Sequence, residues 1–540
     1  MTQAELDRNI LDEIDGHVHS VVQGFFEKYF VNKPWTPSLF STCAGGRSIF
    51  RSHVPGNYRD CVPQGTSQRF LVSAEYIREG DYDWAEVQVV GQFQVNPDYG
   101  YVPGFLHLCR CAREVFRSQP TRLFLHGFYV IGSKMELWMF DRSGLYGSEP
   151  FDVRDDLERL ITIVSGYSRM SDTELGINPL ILLDDAGKYI LAEVGDGPEV
   201  CKFYLEGEPI AFPQTIVSQG STCYRARLPA STKSEFVLKL SWRSGVRSPE
   251  EKMLRLAKDR KVWGAVQLIS HQPIKNTCDG GFTTSRIDAT CPRLERAGSM
   301  RETTLMDLTL SFLIVSPLGR PLDKFHTILE FLEGCRDAIK GHHSLYVDGK
   351  ILHQDVSSGN IIIPDVKKNG EPRGVLIDLD LGMELAVGPA RPDELIGTKA
   401  FMAIDLLAGK PHTYRHDLES FLYVFLWIVI CGGHKQLPPK SRLQRWQVGN
   451  WVDLARKKTE DMADKNFATI ISELAPEFKS LDSLAYQLRE VLFLPLQDGS
   501  LFTGTKTGAD EFERLYVRII GVFDAAIVSY LAENVQGGKT

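Results

Sequence analysis

The chain has 540 residues, 43% hydrophobic and 24% charged, enough for several buried cores, which excludes a disordered or fibrous chain. At about 150 residues per domain, two to four domains are expected, with three as the working number. The net charge of −8, from 61 basic and 69 acidic residues, gives no overall positive field, so a nucleic-acid partner is not expected.

In chain order, Ile10, Ile14, Val18, Val21, Phe25, Phe26 and Phe30 recur mostly on one face and predict helix across residues 1–40, up to the breaker Asn32-Lys33-Pro34. The opening residues, MTQAELDRNILDEID, are acidic and amphipathic, unlike a secretory or mitochondrial leader. Residues 41–69 read as irregular. Trp84 to Gln94 alternates like a strand, and a helix at about 104–118 ends at Pro120. Leu123 to Gly132 and Met135 to Arg142 read as two strands joined by a turn, and Asp155 to Tyr167 as a helix. Residues 1–185 are thus expected to form an α/β domain.

From 186 the texture changes to short strands, followed by a helix at 249–259 and a polar insertion at 273–304. Residues 323–535 are mainly helical, with a strand-like patch at 351–378. A strand-rich segment (186–322) followed by a larger helical one predicts two lobes with a ligand cleft at their join. The ten cysteines include no CxxC pair, which argues against zinc and against a disulfide scaffold. The densest apolar run, Phe421 to Cys431, is short of the about 18 residues that cross a bilayer, so no membrane partner is expected. These features together predict an intracellular protein, cytoplasmic or nuclear.

Four features in the later part of the chain carry chemistry: Lys239 in an apolar strand, Glu250 or Glu251 in the following helix, His353-Gln-Asp355-Val-Ser-Ser-Gly-Asn360, and Asp378 in Leu376-Ile-Asp-Leu-Asp380. Phosphoryl transfer from ATP needs a lysine on the phosphates and a carboxylate holding that lysine. It also needs an aspartate to receive or orient the acceptor's proton, and an Asn and a second Asp for magnesium. The spacing from Asp355 to Asn360 lets one loop present a base and a metal ligand. The 18 residues from Asn360 to Asp378 allow a short hairpin that returns the second metal ligand beside the first. Taken singly, Lys239 reads as a snorkelling strand residue and Asp378 as a turn residue. Their ordered combination is what carries the inference.

At these residues the chain resembles the protein kinases, specifically the fungal-type protein kinase family. Ile351 to Ile361 looks like that family's catalytic loop, Gly397 to Leu407 like the end of its activation segment, and His416 to Trp427 like its buried central helix. Arg113 to Arg122, Phe140 to Gly144 and Met170 to Gly176 match its texture upstream, so the likeness covers about 100–435. The resemblance implies an α+β, two-lobed protein-kinase-like fold preceded by the N-terminal α/β domain. It implies ATP and Mg2+ as cofactors and a protein as substrate, with Ser/Thr as the expected acceptor. Asp355 would be the catalytic base, Asn360 and Asp378 the magnesium ligands, Lys239 the phosphate contact, and Glu250 its partner. Glu250 is preferred to Glu251 because Leu254 then lies four residues on, on the inward face. Gly220, Ser221 and Thr222 would cover the phosphates, Ser316-Pro-Leu-Gly319 would form the adenine hinge, and Asp417 would anchor the catalytic-loop backbone.

The pattern departs from the family's usual one in places. The loop at 218–223 has a single glycine. Gln354 replaces the usual arginine, Asp378-Leu-Asp380 the usual Asp-Phe-Gly, and Ala403-Ile-Asp405 the usual Ala-Pro-Glu. Between Asp378 and Ala403 the only hydroxyl side chain is Thr398, so control by phosphorylation within this segment is not expected. In the first domain, Gly91-Gln-Phe-Gln94 stands where restriction-endonuclease-like domains carry Glu-x-Lys. Gln92 and Gln94 do neither job, and a plain amphipathic strand is the competing reading. Two further functions stay open: a pseudokinase binding module, and a small-molecule phosphotransferase of the aminoglycoside or choline type.

Overall fold

The computed structural model describes residues 3–31, 33–35, 70–74, 83–94, 96–194, 199–218, 221–244, 250–273, 308–366, 370–388, 395–434, 436–506, 508 and 510–537. The irregular stretch 41–69, Gly220 and all but the first residue of the polar insertion fall outside them. The chain divides into two compact units: Met1–Thr232 with Leu238–Gly245 and Gln272–Phe312, and Lys233–Val237 with Val246–His271 and Leu313–Thr540.

The first unit opens with helix α1 (Gln3–Ile14), strand β1 (Val18–His19) and helix α2 (Phe25–Phe30). This corrects the helix expected across 1–40. Gly16, Val21 and Gly24 all take positive φ (77°, 61° and 72°), which stops the helical path, and Val18 and His19 pair in parallel with Leu145 and Tyr146 instead. Val21, counted on the apolar face, is exposed.

The elements that follow are β2 (Phe70–Ala74), β3 (Val89–Gln94), α3 (Tyr101–Ser118), β4 (Phe124–Ile131), β5 (Lys134–Asp141), β6 (Leu145–Gly147), β7 (Phe151–Asp152) and α4 (Leu157–Arg169). The sheet order is β1-β6-β5-β4-β3-β2, with β7 on β5. The expected β4–β5 hairpin is present, turning at Gly132, whose φ of 57° the tight connection requires. Alternation along the strands sends Val90, Tyr129, Trp138 and Phe140 to a core with α1 and α3, and Val89, Val130, Leu137 and Met139 to one with α2 and α4.

A second sheet begins at β8 (Leu182–Asp184), a few residues before the expected boundary at 185, because β8 pairs with β9 (Gly187–Glu193). It continues through β10 (Val200–Ala211), β11 (Ser221–Arg227) and β12 (Phe236–Ser244). Much of this strand-rich region groups with the N-terminal domain rather than standing apart, and named contacts account for it. Glu13 accepts the N–H groups of Ile216 and Val217, Arg142 donates to the Thr215 and Ile216 carbonyls, and Ile216 is buried in the α1/α3 core.

In the second unit, helix α5 (Glu250–Asp259) packs Met253, Leu254 and Ala257 into a small core with Val266, Leu313 and Leu379. The large core gathers around α6 (Ile328–Val347), the short α7 (Ile404–Leu407) and α8 (Tyr414–Cys431). Helix α8 is buried nearly all round and apolar from Phe421 on, as a helix surrounded by others must be. Thr413 and His416 form a capping box at its start, and Gly432 closes it at φ 58°.

Helices α9 (Trp451–Met462), α10 (Asp464–Ser472), α11 (Asp482–Leu492) and α12 (Glu511–Gly537) complete the unit. Tyr516, Ile519, Phe523 and Ile527 of α12 enter the large core at helical spacing. Among the described residues, the span Glu511–Glu533 is long and apolar enough to cross a bilayer, with mean hydropathy 1.7 and 22% of its 18-residue apolar window buried. Arg514, Arg518 and Asp524 interrupt the apolar pattern of this span.

Candidate active site

The expected catalytic loop follows strand Ile351–Leu352, and the hairpin expected after Asn360 forms. Strand Ile361–Pro364 pairs antiparallel with Val375–Leu376, and Ile377 N–H donates to the Asn360 carbonyl at 3.0 Å. His353 Nε2, 3.1 Å from the Ile377 carbonyl, ties the loop to the same strand. Asn360 and Asp378 therefore leave neighbouring backbones, although they are 18 residues apart in sequence.

Asp355 is the meeting point. Its Oδ2 accepts the Asn360 amide at 3.1 Å, and its Oδ1 accepts both the N–H and the hydroxyl of Thr398 at 2.8 Å each. The carboxylate is thus held by Asn360 on one side and by Thr398 on the other. Gln354 and Asp378 both hold positive φ, 68° and 66°. For residues with a Cβ this is strained backbone, of the kind that clusters at working sites.

Glu250, Asp378 and Asp380 bring one carboxylate oxygen each within 4.8 Å of one another. Glu250 is buried and accepts Leu379 N–H at 3.2 Å, so it grips the backbone of Asp-Leu-Asp directly. Its neighbour Glu251 pairs with Arg255 at the surface. Lys239 is buried on β12 in the first unit, between buried Leu238 and Leu240. Ser221 and Ser241 share a hydrogen bond at 2.9 Å. Thr222, expected over the phosphates, is buried and donates its hydroxyl to the Pro120 carbonyl at 3.0 Å, the result of strand alternation turning it inward. At the expected hinge, Leu318 N–H donates to Glu235 O and its carbonyl accepts Asp365 N–H, so both main-chain groups are engaged.

Asp417 anchors the loop through Gln354 N–H at 3.2 Å. It is 1% exposed and sits between His342 and His412, each at 2.8 Å, while Tyr516 reaches the other nitrogen of His342 at 2.7 Å. Burial opposes its charge, yet His412 and His342 hold the carboxyl well below the usual carboxylate range. His342 and Tyr516 have no local mark in the sequence, since His342 meets Asp417 across 75 positions and Tyr516 across 174, while His412 lies only five residues before Asp417 and carries no motif of its own.

In the first unit, Gln94 is a structural staple. Its amide donates to the Asn96 and Gly100 carbonyls and accepts the Tyr129 hydroxyl, fixing the entry to α3.

A family model described as fungal protein kinase matches residues 68–429. The chain belongs to that family, a class of kinases. No curated protein matches it. Among solved structures it is similar to vaccinia related kinase 3, at 13% identity and a TM-score of 0.34, covering 65% of this chain and 90% of that one.

Proposed function

We propose that the protein transfers the γ-phosphoryl group of ATP to a serine or threonine hydroxyl of a protein. The observation that carries this reading is the convergence of Asn360 and Thr398 on Asp355. A carboxylate fixed by donors on both oxygens faces the acceptor in a defined orientation, which is how positioning lowers a barrier. The acceptor oxygen attacks the γ-phosphorus, the bond to the β–γ bridging oxygen breaks to leave ADP, and the hydroxyl proton passes to Asp355. Lys239 would bind the phosphates. Glu250 fixes Leu379 and so the Asp378-Leu-Asp380 turn.

Oxygen donors of this kind suit magnesium. Asn360 and Asp378 would hold it, with Asp380 adjacent, and the bound ion neutralises charge on the phosphate oxygens. With Leu318 engaged, adenine would be read by main-chain groups ahead of Pro317.

The three-carboxylate group favours a second reading, transfer to a small hydroxylated molecule, a class that often has a second acidic residue there. A test offers Mg-ATP with a degenerate Ser, Thr and Tyr peptide library and, separately, with amino-alcohols and aminoglycosides. Phosphoserine or phosphothreonine in the library supports the first reading. Product from the small molecules alone replaces it with the second.

A further inference from the structure

Lys458, on α9, is 0% exposed and donates its Nζ to the Ala400 carbonyl at 2.9 Å and the Met402 carbonyl at 2.6 Å. Its ammonium lies 4.1 Å from the Tyr423 ring centre and 5.1 Å from that of Trp446, an aromatic enclosure suited to a cation. Two residues further along, Ile404 N–H donates to Glu419 of α8 at 2.7 Å. The backbone groups of residues 400, 402 and 404 are therefore fastened in turn to two helices. Two residues before Ala400, Thr398 makes its paired contact with Asp355.

Burying an ammonium is unfavourable unless it is paired and hydrogen-bonded. What the charge achieves here is a fixed path for one short stretch of chain. We propose that Lys458 is a positioning residue for phosphoryl transfer, setting the path of Thr398–Met402 so that Thr398 aims Asp355 and the acceptor chain is presented to it. The proposal rests on the phosphotransfer reading above.

The cluster also gives the device a pH dependence. Burial pulls the Lys458 ammonium down to about 7, against the pull of Glu419 and Asp461. Glu419 is itself paired with Arg415 and accepts the Tyr423 hydroxyl. Asp461 is paired with Arg442 and Arg445 and accepts the Trp446 indole N–H. As pH rises through about 7 the lysine loses its charge, and its bonds to the two carbonyls fall from charge-assisted to neutral strength.

The test uses the full chain as wild type, Lys458→Met and Lys458→Gln. Amide hydrogen exchange over residues 396–404 needs no turnover. In Lys458→Met it is expected to quicken about tenfold, the scale of one lost charge-assisted bond, with the 355–364 region changing less. The kcat/KM for a peptide acceptor should fall about ten- to hundredfold, as for a misplaced reacting group, while KM for ATP stays within about twofold. Wild type should lose acceptor kcat/KM between pH 6.5 and 8.5, and both variants should be flat there. Lys458→Gln keeps a neutral donor and should be intermediate, so the proposal stays testable if the Met variant folds poorly. Unchanged exchange at 396–404 in the variants overturns it, as does an identical pH profile in all three proteins. A wild type that transfers no phosphate, with exchange altered in the variants, counts against the phosphotransfer reading and not against the placement of the segment by Lys458.

Discussion

Thr398 turns both its backbone N–H and its hydroxyl onto one oxygen of Asp355, at 2.8 Å each. One residue thus supplies two donors to the base, and they come from the segment expected to meet the acceptor rather than from the catalytic loop. Thr398→Val removes the hydroxyl donor and should lower kcat for a peptide acceptor by about tenfold or more, while Thr398→Ser should retain most of it. Thr398→Glu places a second carboxylate against the first and should be slower than either. Steady-state assays of the three variants check this. A fully active Thr398→Glu protein would show that this contact does not orient the base.

The carboxylates of Asp378 and Asp380 are expected to share the handling of magnesium unequally. Asp378→Asn should abolish magnesium-dependent enhancement of ATP binding. Asp380→Asn should raise the magnesium concentration at half-saturation several-fold and leave saturated turnover less affected. Calorimetric titration of ATP at a series of magnesium concentrations measures both. Identical curves for Asp380→Asn and wild type would remove Asp380 from the metal's surroundings.

Tyr516 links the last helix to the catalytic loop through His342, Asp417 and Gln354 N–H. Tyr516→Phe leaves a nitrogen of buried His342 without that partner and should cost about 1–3 kcal/mol. A lowered urea midpoint at unchanged slope would report it. An unaltered midpoint would mean that the hydroxyl contributes nothing to holding this network together.

Acid should unfold the protein through histidines held neutral. Burial lowers His126 to about 3 and His19 and His416 to about 4, from 6.5. Above pH 6.5 neither folded nor unfolded chain protonates them, so no stability is lost. Below 6.5 the unfolded chain takes up protons that the folded chain refuses, and stability falls until the folded values are reached near pH 3–4. Each pH unit in that window is worth about 1.4 kcal/mol per fully titrating histidine. Thermal melts between pH 7 and 4 should show a steady fall in Tm, reduced in His416→Phe. A Tm independent of pH over that range would contradict the burial of these rings as neutral groups.

Local chemistry was readable in the sequence, and long-range chemistry was not. The loop from His353 to Asn360, the hairpin back to Asp378 and the buried helix around Phe421–Cys431 are set by neighbours within about twenty residues, and spacing conveys them. Between α1 and α2 the expected helix is interrupted because three positive-φ positions break a pattern that hydrophobic periodicity alone would continue. Thr222 was expected to face a ligand, yet it bonds to Pro120, 102 positions away, through the face that strand alternation assigns it. Nothing local in the sequence singles out Lys458. Only the fold brings it to Ala400 and Met402, 58 and 56 residues earlier. The grouping of residues 182–232 with the N-terminal sheet was likewise hidden, since it depends on Glu13 and Arg142 reaching the 215–217 segment.

The most direct test of the account is single-turnover transfer of labelled γ-phosphate from Mg-ATP to a peptide by wild type and Asp355→Asn, with ATP affinity measured in parallel. Asn keeps the shape and loses the proton acceptor. Transfer should therefore fall by about 10²–10⁴-fold, the usual contribution of a general base, while the ATP Kd changes little. Equal transfer by the two proteins would contradict the assignment of Asp355 as the base on which Asn360 and Thr398 converge.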